Sequence, residues 1–83
     1  MRKNLKRVVA AFERGTAHAE GSVSTNGKEV FSYAMKIADR TPAGVRVIAI
    51  SESPSKTTSQ AIAALHREYP KAQTVTTFPD VAP

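Results

Sequence analysis

"SVSTNGKEVFSYAMKIA", Ser22 to Ala38, is the stretch on which the fold of this chain turns. Asn26-Gly27 is a pair favoured in two-residue type I′ turns, because both central residues need positive φ, and it stands between two β-like runs. A turn centred there sets Thr25 opposite Lys28, and the pairing continues as Ser24 with Glu29, Val23 with Val30, and Ser22 with Phe31. One hairpin face then carries Phe31, Tyr33, Met35 and Ile37 opposite Ser22, Glu20, His18 and Thr16. The other carries Val30, Ser32 and Ala34 opposite Val23, Gly21 and Ala19. Large side chains argue for burying the first face, since a buried aromatic is worth about 2–3 kcal/mol. The alternative brings helices onto the small-residue face and leaves Phe31 and Tyr33 outside as a stacking platform or interface, and a bulge in either arm would change the tally.

On the N-terminal side, Leu5, Val8, Val9 and Phe12 recur at i, i+3, i+4 and i+7, the spacing of an amphipathic helix, with Asn4 as a candidate N-cap and Gly15 in the C-cap position. On the C-terminal side, "TPAG" (Thr41 to Gly44) reads as a turn and "VRVIAIS" from Val45 as a short apolar strand. Ala61, Ile62, Leu65 and Tyr69 mark a second helix that Pro70 closes, and "AQTVTTFP" has strand composition. The expected layout is α+β in the order α-β-β-β-α-β: an antiparallel three- to four-stranded sheet with both helices packed on one face. Residues 1–79 form a single domain and residues 80–83 a flexible C-terminal tail.

The chain has 83 residues, which suffices for one modest core. It has no cysteine, so no disulfide or thiolate chemistry is available and a reducing, cytoplasmic setting is expected. The basic start lacks an uninterrupted apolar run or a cleavage site, and no run is long enough to span a bilayer, so no membrane partner is expected. Twelve Lys and Arg against seven Asp and Glu give a net charge of +5. Arg2, Lys3, Lys6, Arg7 and Arg14 face Glu13 alone in the first fourteen residues, so the excess is concentrated there. At 3.6 residues per turn these cations lie opposite or beside the apolar stripe, where they meet either water or a polyanion.

A second candidate site precedes the second helix. Ser51, Ser53, Ser55, Thr57, Thr58 and Ser59 crowd around Lys56. Ser53-Pro54 fits N-cap followed by N1, and Thr57 with Gln60 fits a capping box. Capping accounts for one or two hydroxyls. The rest either populate a polar loop or, with Lys56 and the helix dipole, let Ser55, Lys56, Thr57 and Thr58 hold a phosphate. Catalysis has little support: His18 and His66 have no companion ligands, the carboxylates are scattered, and no nucleotide or nucleophile motif occurs. No enzyme activity, cofactor or metal is expected.

The helix, three strands and helix, with Lys56 near the start of the second helix, resemble the double-stranded-RNA-binding domain. That family places several lysines there, whereas Thr57, Thr58 and Ser59 follow Lys56 here. About residues 17–69 are similar to small uncharacterised proteins encoded by phages and mobile elements, which share the Asn-Gly turn, a segment like "VFSYAMKIA" (Val30 to Ala38) and a helix introduced by "TTS" (Thr57 to Ser59). That resemblance implies an accessory protein in the cytoplasm of a bacterial host. The expected function is a non-enzymatic binding module for nucleic acid, using the basic first helix and the start of the second. The alternative partner is a host or phage protein, or a second copy in a homodimer, met through a sheet edge or through Phe31 and Tyr33.

Overall fold

A computed structural model describes residues 3–52, 55–76 and 78, without the side chains of residues 3, 4 and 52. The first helix, α1 (Lys3–Arg14), forms along its stripe: Leu5, Val8, Val9 and Phe12 are all buried. It stops at a Schellman motif, with the Gly15 N–H donating to the Phe12 carbonyl at 3.1 Å and the Thr16 N–H to the Ala11 carbonyl at 2.9 Å.

The long hairpin expected after it is instead four short strands. These are β1 (His18–Glu20), β2 (Val23–Thr25), β3 (Glu29–Ser32) and β4 (Met35–Thr41). They are followed by β5 (Gly44–Ile48), a 3-10 turn at Ile50–Glu52, α2 (Lys56–Glu68) and β6 (Gln73–Val75). The sheet has six strands in sequence order; β1 to β5 form an antiparallel meander, and β6 lies parallel to β5 after the α2 crossover. The α+β class holds. The three- to four-stranded antiparallel sheet is corrected to a six-stranded mixed one, in the order α-β-β-β-β-β-α-β. Extra strands arise because tight turns at Gly21-Ser22 and Tyr33-Ala34 fold each expected arm back on itself. The tail at 80–83 lies outside the described residues.

The central turn also moves. Asn26 Oδ1 accepts from the N–H of Lys28 at 2.9 Å and of Glu29 at 2.8 Å, while Thr25 Oγ1 accepts from Gly27 N–H at 3.0 Å. These side chains take up the turn's backbone donors, so the loop centres on Gly27-Lys28, not Asn26-Gly27. Each pairing slips by two residues, setting Val23 opposite Ser32 and Thr25 opposite Val30. A slip of two preserves the faces.

It is the small-residue face that receives the helices. Val30, Ala38 and Val47 are consecutive partners across β3, β4 and β5, and together with Val23 they make a flat apolar floor. Phe31 has Ser24 and Lys36 as its partners, a row that cannot supply a core. The expected grouping of Phe31, Tyr33, Met35 and Ile37 on one face is therefore corrected. Tyr33 falls in a turn, Met35 pairs with Ser32 on the helix side, and a bulge at Ile37 interrupts the alternation and leaves Ile37 fully buried. Phe31 stays half-buried on the opposite face. Both helices cover the same side: the Phe12 and Tyr69 rings meet edge to face with centroids 5.9 Å apart.

The side away from the helices holds a charge cluster under the chain that follows β6. Lys36 Nζ lies 2.9 Å from Glu29 and 3.1 Å from Asp39, and Arg46 grips Asp39 with two guanidinium nitrogens. Phe78 is buried over them, its ring centroid 4.7 Å from Lys36 Nζ and 5.3 Å from Arg46 Cζ. Two cations balance two anions, so among the described residues this cluster carries no excess charge.

Candidate nucleic-acid interface

The two nominated segments come to the same end of the sheet. Arg7 Nη1 donates to Glu20 Oε1 at 2.8 Å, just before the Gly21-Ser22 turn, which anchors the early part of α1 at that end. At the other end of the helix, the Arg40 guanidinium joins the carbonyls of Phe12 at 2.6 Å and Gly27 at 3.1 Å. α1 therefore runs from the end that carries the Gly21-Ser22 and Tyr33-Ala34 turns toward the end that carries Gly27-Lys28. α2 starts at that first end too: Thr58 Oγ1 lies 2.8 Å from Ser32 Oγ, one residue before Tyr33. The Tyr33 N–H donates to the Ser22 carbonyl at 2.6 Å and ties the two turns together between the helix starts.

Individual residues are less uniform. Lys6 and Lys56 are exposed, and so is Arg7, although its guanidinium is engaged by Glu20. That hydrogen bond is the main reason the Glu20 carboxyl titrates below its ordinary range. Arg14 sits in the last turn of α1, at the far end from Arg7 and the start of α2, and lines with Lys6 and Glu13 a groove that reaches Glu68. Arg2 and the Lys3 side chain lie outside the described residues, as do Ser53 and Pro54.

The α2 cap is Ser55, whose hydroxyl accepts from the Thr58 N–H at 3.2 Å, and Thr57 lies inside the helix. Thr58 is buried and committed to Ser32 and Ser55, so it is corrected from phosphate ligand to structural link. A hydroxyl one turn into a helix points back along it toward the sheet, which is why β3 captures it. Thr57 is half-buried, and Lys56 keeps its ammonium outside.

Tyr33 and Phe31 do not form one platform: Phe31 lies on the open sheet face, and Tyr33 projects from the end, 66% exposed. Tyr33 also adopts φ +55°, the one positive φ among the described non-glycine residues. A bulky side chain there costs about 1–3 kcal/mol, and its exposed ring repays nothing inside the fold. Tyr33→Gly is accordingly expected to stabilise the domain by about 1 kcal/mol, read as a higher denaturant midpoint with unchanged m. A lower midpoint would show that the ring supports the turn.

Two features were missed in the sequence. Ile50, 51% exposed, follows β5 at the same end as Tyr33; an apolar residue between a strand and a Ser-rich loop was its only mark. The Lys36, Asp39 and Arg46 cluster was signalled by charges placed inside otherwise apolar strands, "MKIADRT" and "GVRVI". Among the described residues no group of three or more His, Asp or Glu side chains could hold a metal ion, and no helix is long and apolar enough to cross a membrane. His66 is held by a 2.9 Å hydrogen bond between its ring and the Ile48 carbonyl oxygen. No family model matches the chain, and no curated protein or solved structure matches it either.

Proposed function

We propose that this protein is a non-enzymatic nucleic-acid-binding module whose contact surface is the end of the sheet where both helices begin. The observation that carries the reading is that the early part of α1, with Arg7, and the start of α2, with Lys56, come from segments some fifty residues apart in sequence to the end of the sheet that carries the Tyr33 turn. Two helix starts add their positive dipole ends to the same surface, and side-chain cations held there meet phosphates without a dedicated loop. The charge cluster on the opposite face pairs its cations with Glu29 and Asp39. The phage-like resemblance is compatible with such an accessory role and supplies no activity of its own.

Salt dependence tests this reading, since neutralising phosphates releases counterions in proportion. Changing Lys6 to Gln and Lys56 to Ala together is expected to lower the slope of log K against log salt by about two units for two lost phosphate contacts. Arg14→Gln, at the far end, serves as the control and is expected to leave the slope unchanged. Polarisation titrations over a salt series measure both. Equal slopes for the double variant and Arg14→Gln would move the binding surface elsewhere.

A further inference from the structure

Three of the tight turns in this sheet share one geometry, and one departs from the residue choice of the others. The pairings Glu20 with Val23 and Ser32 with Met35, and the 3.3 Å hydrogen bond from the Asn26 N–H to the Glu29 carbonyl, place Gly21, Gly27 and Tyr33 at the first central position of a two-residue turn. All three have positive φ, +60°, +97° and +55°. Glycine adopts this conformation without a Cβ penalty, and it is the residue such turns select. The chain follows that preference twice and then sets, in the third turn, the most exposed large hydrophobic side chain among the described residues. The Tyr33 ring is 66% exposed, so packing within the fold repays little of that strain.

We propose that Tyr33 is a base-stacking residue and that the ligand class is single-stranded, not duplex, nucleic acid. This rests on the nucleic-acid reading above and specifies its substrate. The position fits the class: the ring stands off the end of the sheet between Arg7 on one side and the start of α2 with Lys56 on the other, so one base and its flanking phosphates can be met together. Ile50 extends the apolar ground beside it, across β4, at the end of β5. Paired bases are already stacked on each other and offer a protruding ring nothing until a step is opened, whereas every unpaired base presents its π-face. Charge complementarity comes from the lysines and stacking from Tyr33, so the two contributions separate in experiment.

The test compares a short labelled single strand with a duplex of the same sequence, for the unaltered protein, Tyr33→Gly and Tyr33→Phe, at two salt concentrations. Expected are a preference for the single strand, a loss of about tenfold or more in that affinity for Tyr33→Gly with the salt slope unchanged, and retention in Tyr33→Phe, which keeps the stacking face. Tyr33→Gly is the safer deletion, since glycine suits the turn; a denaturant midpoint at or above that of the unaltered protein shows that the fold is intact. Duplex bound as well as single strand, with Tyr33→Gly unchanged, overturns the stacking assignment and leaves the electrostatic reading standing. Binding to neither form at low salt overturns both. Loss of affinity in Tyr33→Phe as well as in Tyr33→Gly overturns stacking in favour of a contact through the hydroxyl.

Discussion

Asp39→Ala is expected to cost the domain about 3 kcal/mol, because it removes the buried carboxylate that the buried Lys36 and the partly buried Arg46 share. Asp39 is 4% exposed and sits between Lys36 at 3.1 Å and the Arg46 guanidinium, with Phe78 closing the cluster from above. A domain of 83 residues has a total stability of about 4–12 kcal/mol, so a loss of this size consumes much of it. Chemical denaturation should show a large fall in midpoint, and limited proteolysis should detect opening of the chain beyond β6. A loss under about 1 kcal/mol would mean that water reaches Lys36 and Arg46 when Asp39 is removed.

Acid provides an independent readout of the same cluster. Burial by itself would raise the Asp39 pKa, but the hydrogen bonds from Arg46 and Lys36 outweigh it and hold the carboxyl below its ordinary value of 3.8. A depressed folded-state pKa stabilises the fold above the unfolded value, and this stabilisation is lost as pH falls from about 4 through the folded value. Unfolding free energy should therefore decline on acidification below about pH 4, and the decline should be shallower in Asp39→Asn.

The second large effect is expected at Gly27. A Cβ built on this glycine lies 2.5 Å from the Gly15 carbonyl oxygen and 2.6 Å from its carbon, at φ +97°. Both neighbouring atoms are backbone, and Gly15 is itself fixed by the α1 Schellman motif, so neither side can yield cheaply. Gly27→Ala is expected to cost about 3 kcal/mol or more, combining the conformational penalty with displacement of helix against hairpin. Gly15→Ala isolates the first contribution: its φ is +73° with nothing within 4 Å of the added Cβ, and about 1 kcal/mol is expected. Equal costs for the two would remove the steric contact from the account.

This contact shows where the sequence stopped being legible. Asn26-Gly27 announced a hairpin, and the hairpin is there, but its centre was chosen by the hydroxyl of Thr25 and the amide of Asn26, together with the need to fit a glycine against α1. Likewise "VFSYAMKIA" reads as one strand by composition. It breaks at Tyr33-Ala34 because the sheet needs a turn there, and no local signal marks a tyrosine as a turn residue. At the start of α2 the crowd of hydroxyls was visible, and its division of labour was not: Ser55 caps, Thr58 reaches the sheet and Lys56 remains outside.

By itself the sequence determined what depends on residues close together along the chain. It placed the stripe of α1 and its stop at Gly15, the apolar side of α2 with Pro70 beyond it, a hairpin near Asn26-Gly27 though one residue off its centre, short strands at β5 and β6, and an α+β composition with both helices on one face. Periodicity and capping act over a turn or two, so they survive without tertiary context. Only the tertiary structure decided the number of strands, which hairpin face is buried, and which cations end up together. Those choices compare whole rows across the sheet: Val30, Ala38 and Val47 against Ser24, Phe31 and Lys36. The first row can be packed beneath two helices and the second cannot, because an ammonium buried there needs carboxylates, which Asp39 on its own strand and Glu29 on the neighbouring β3 supply.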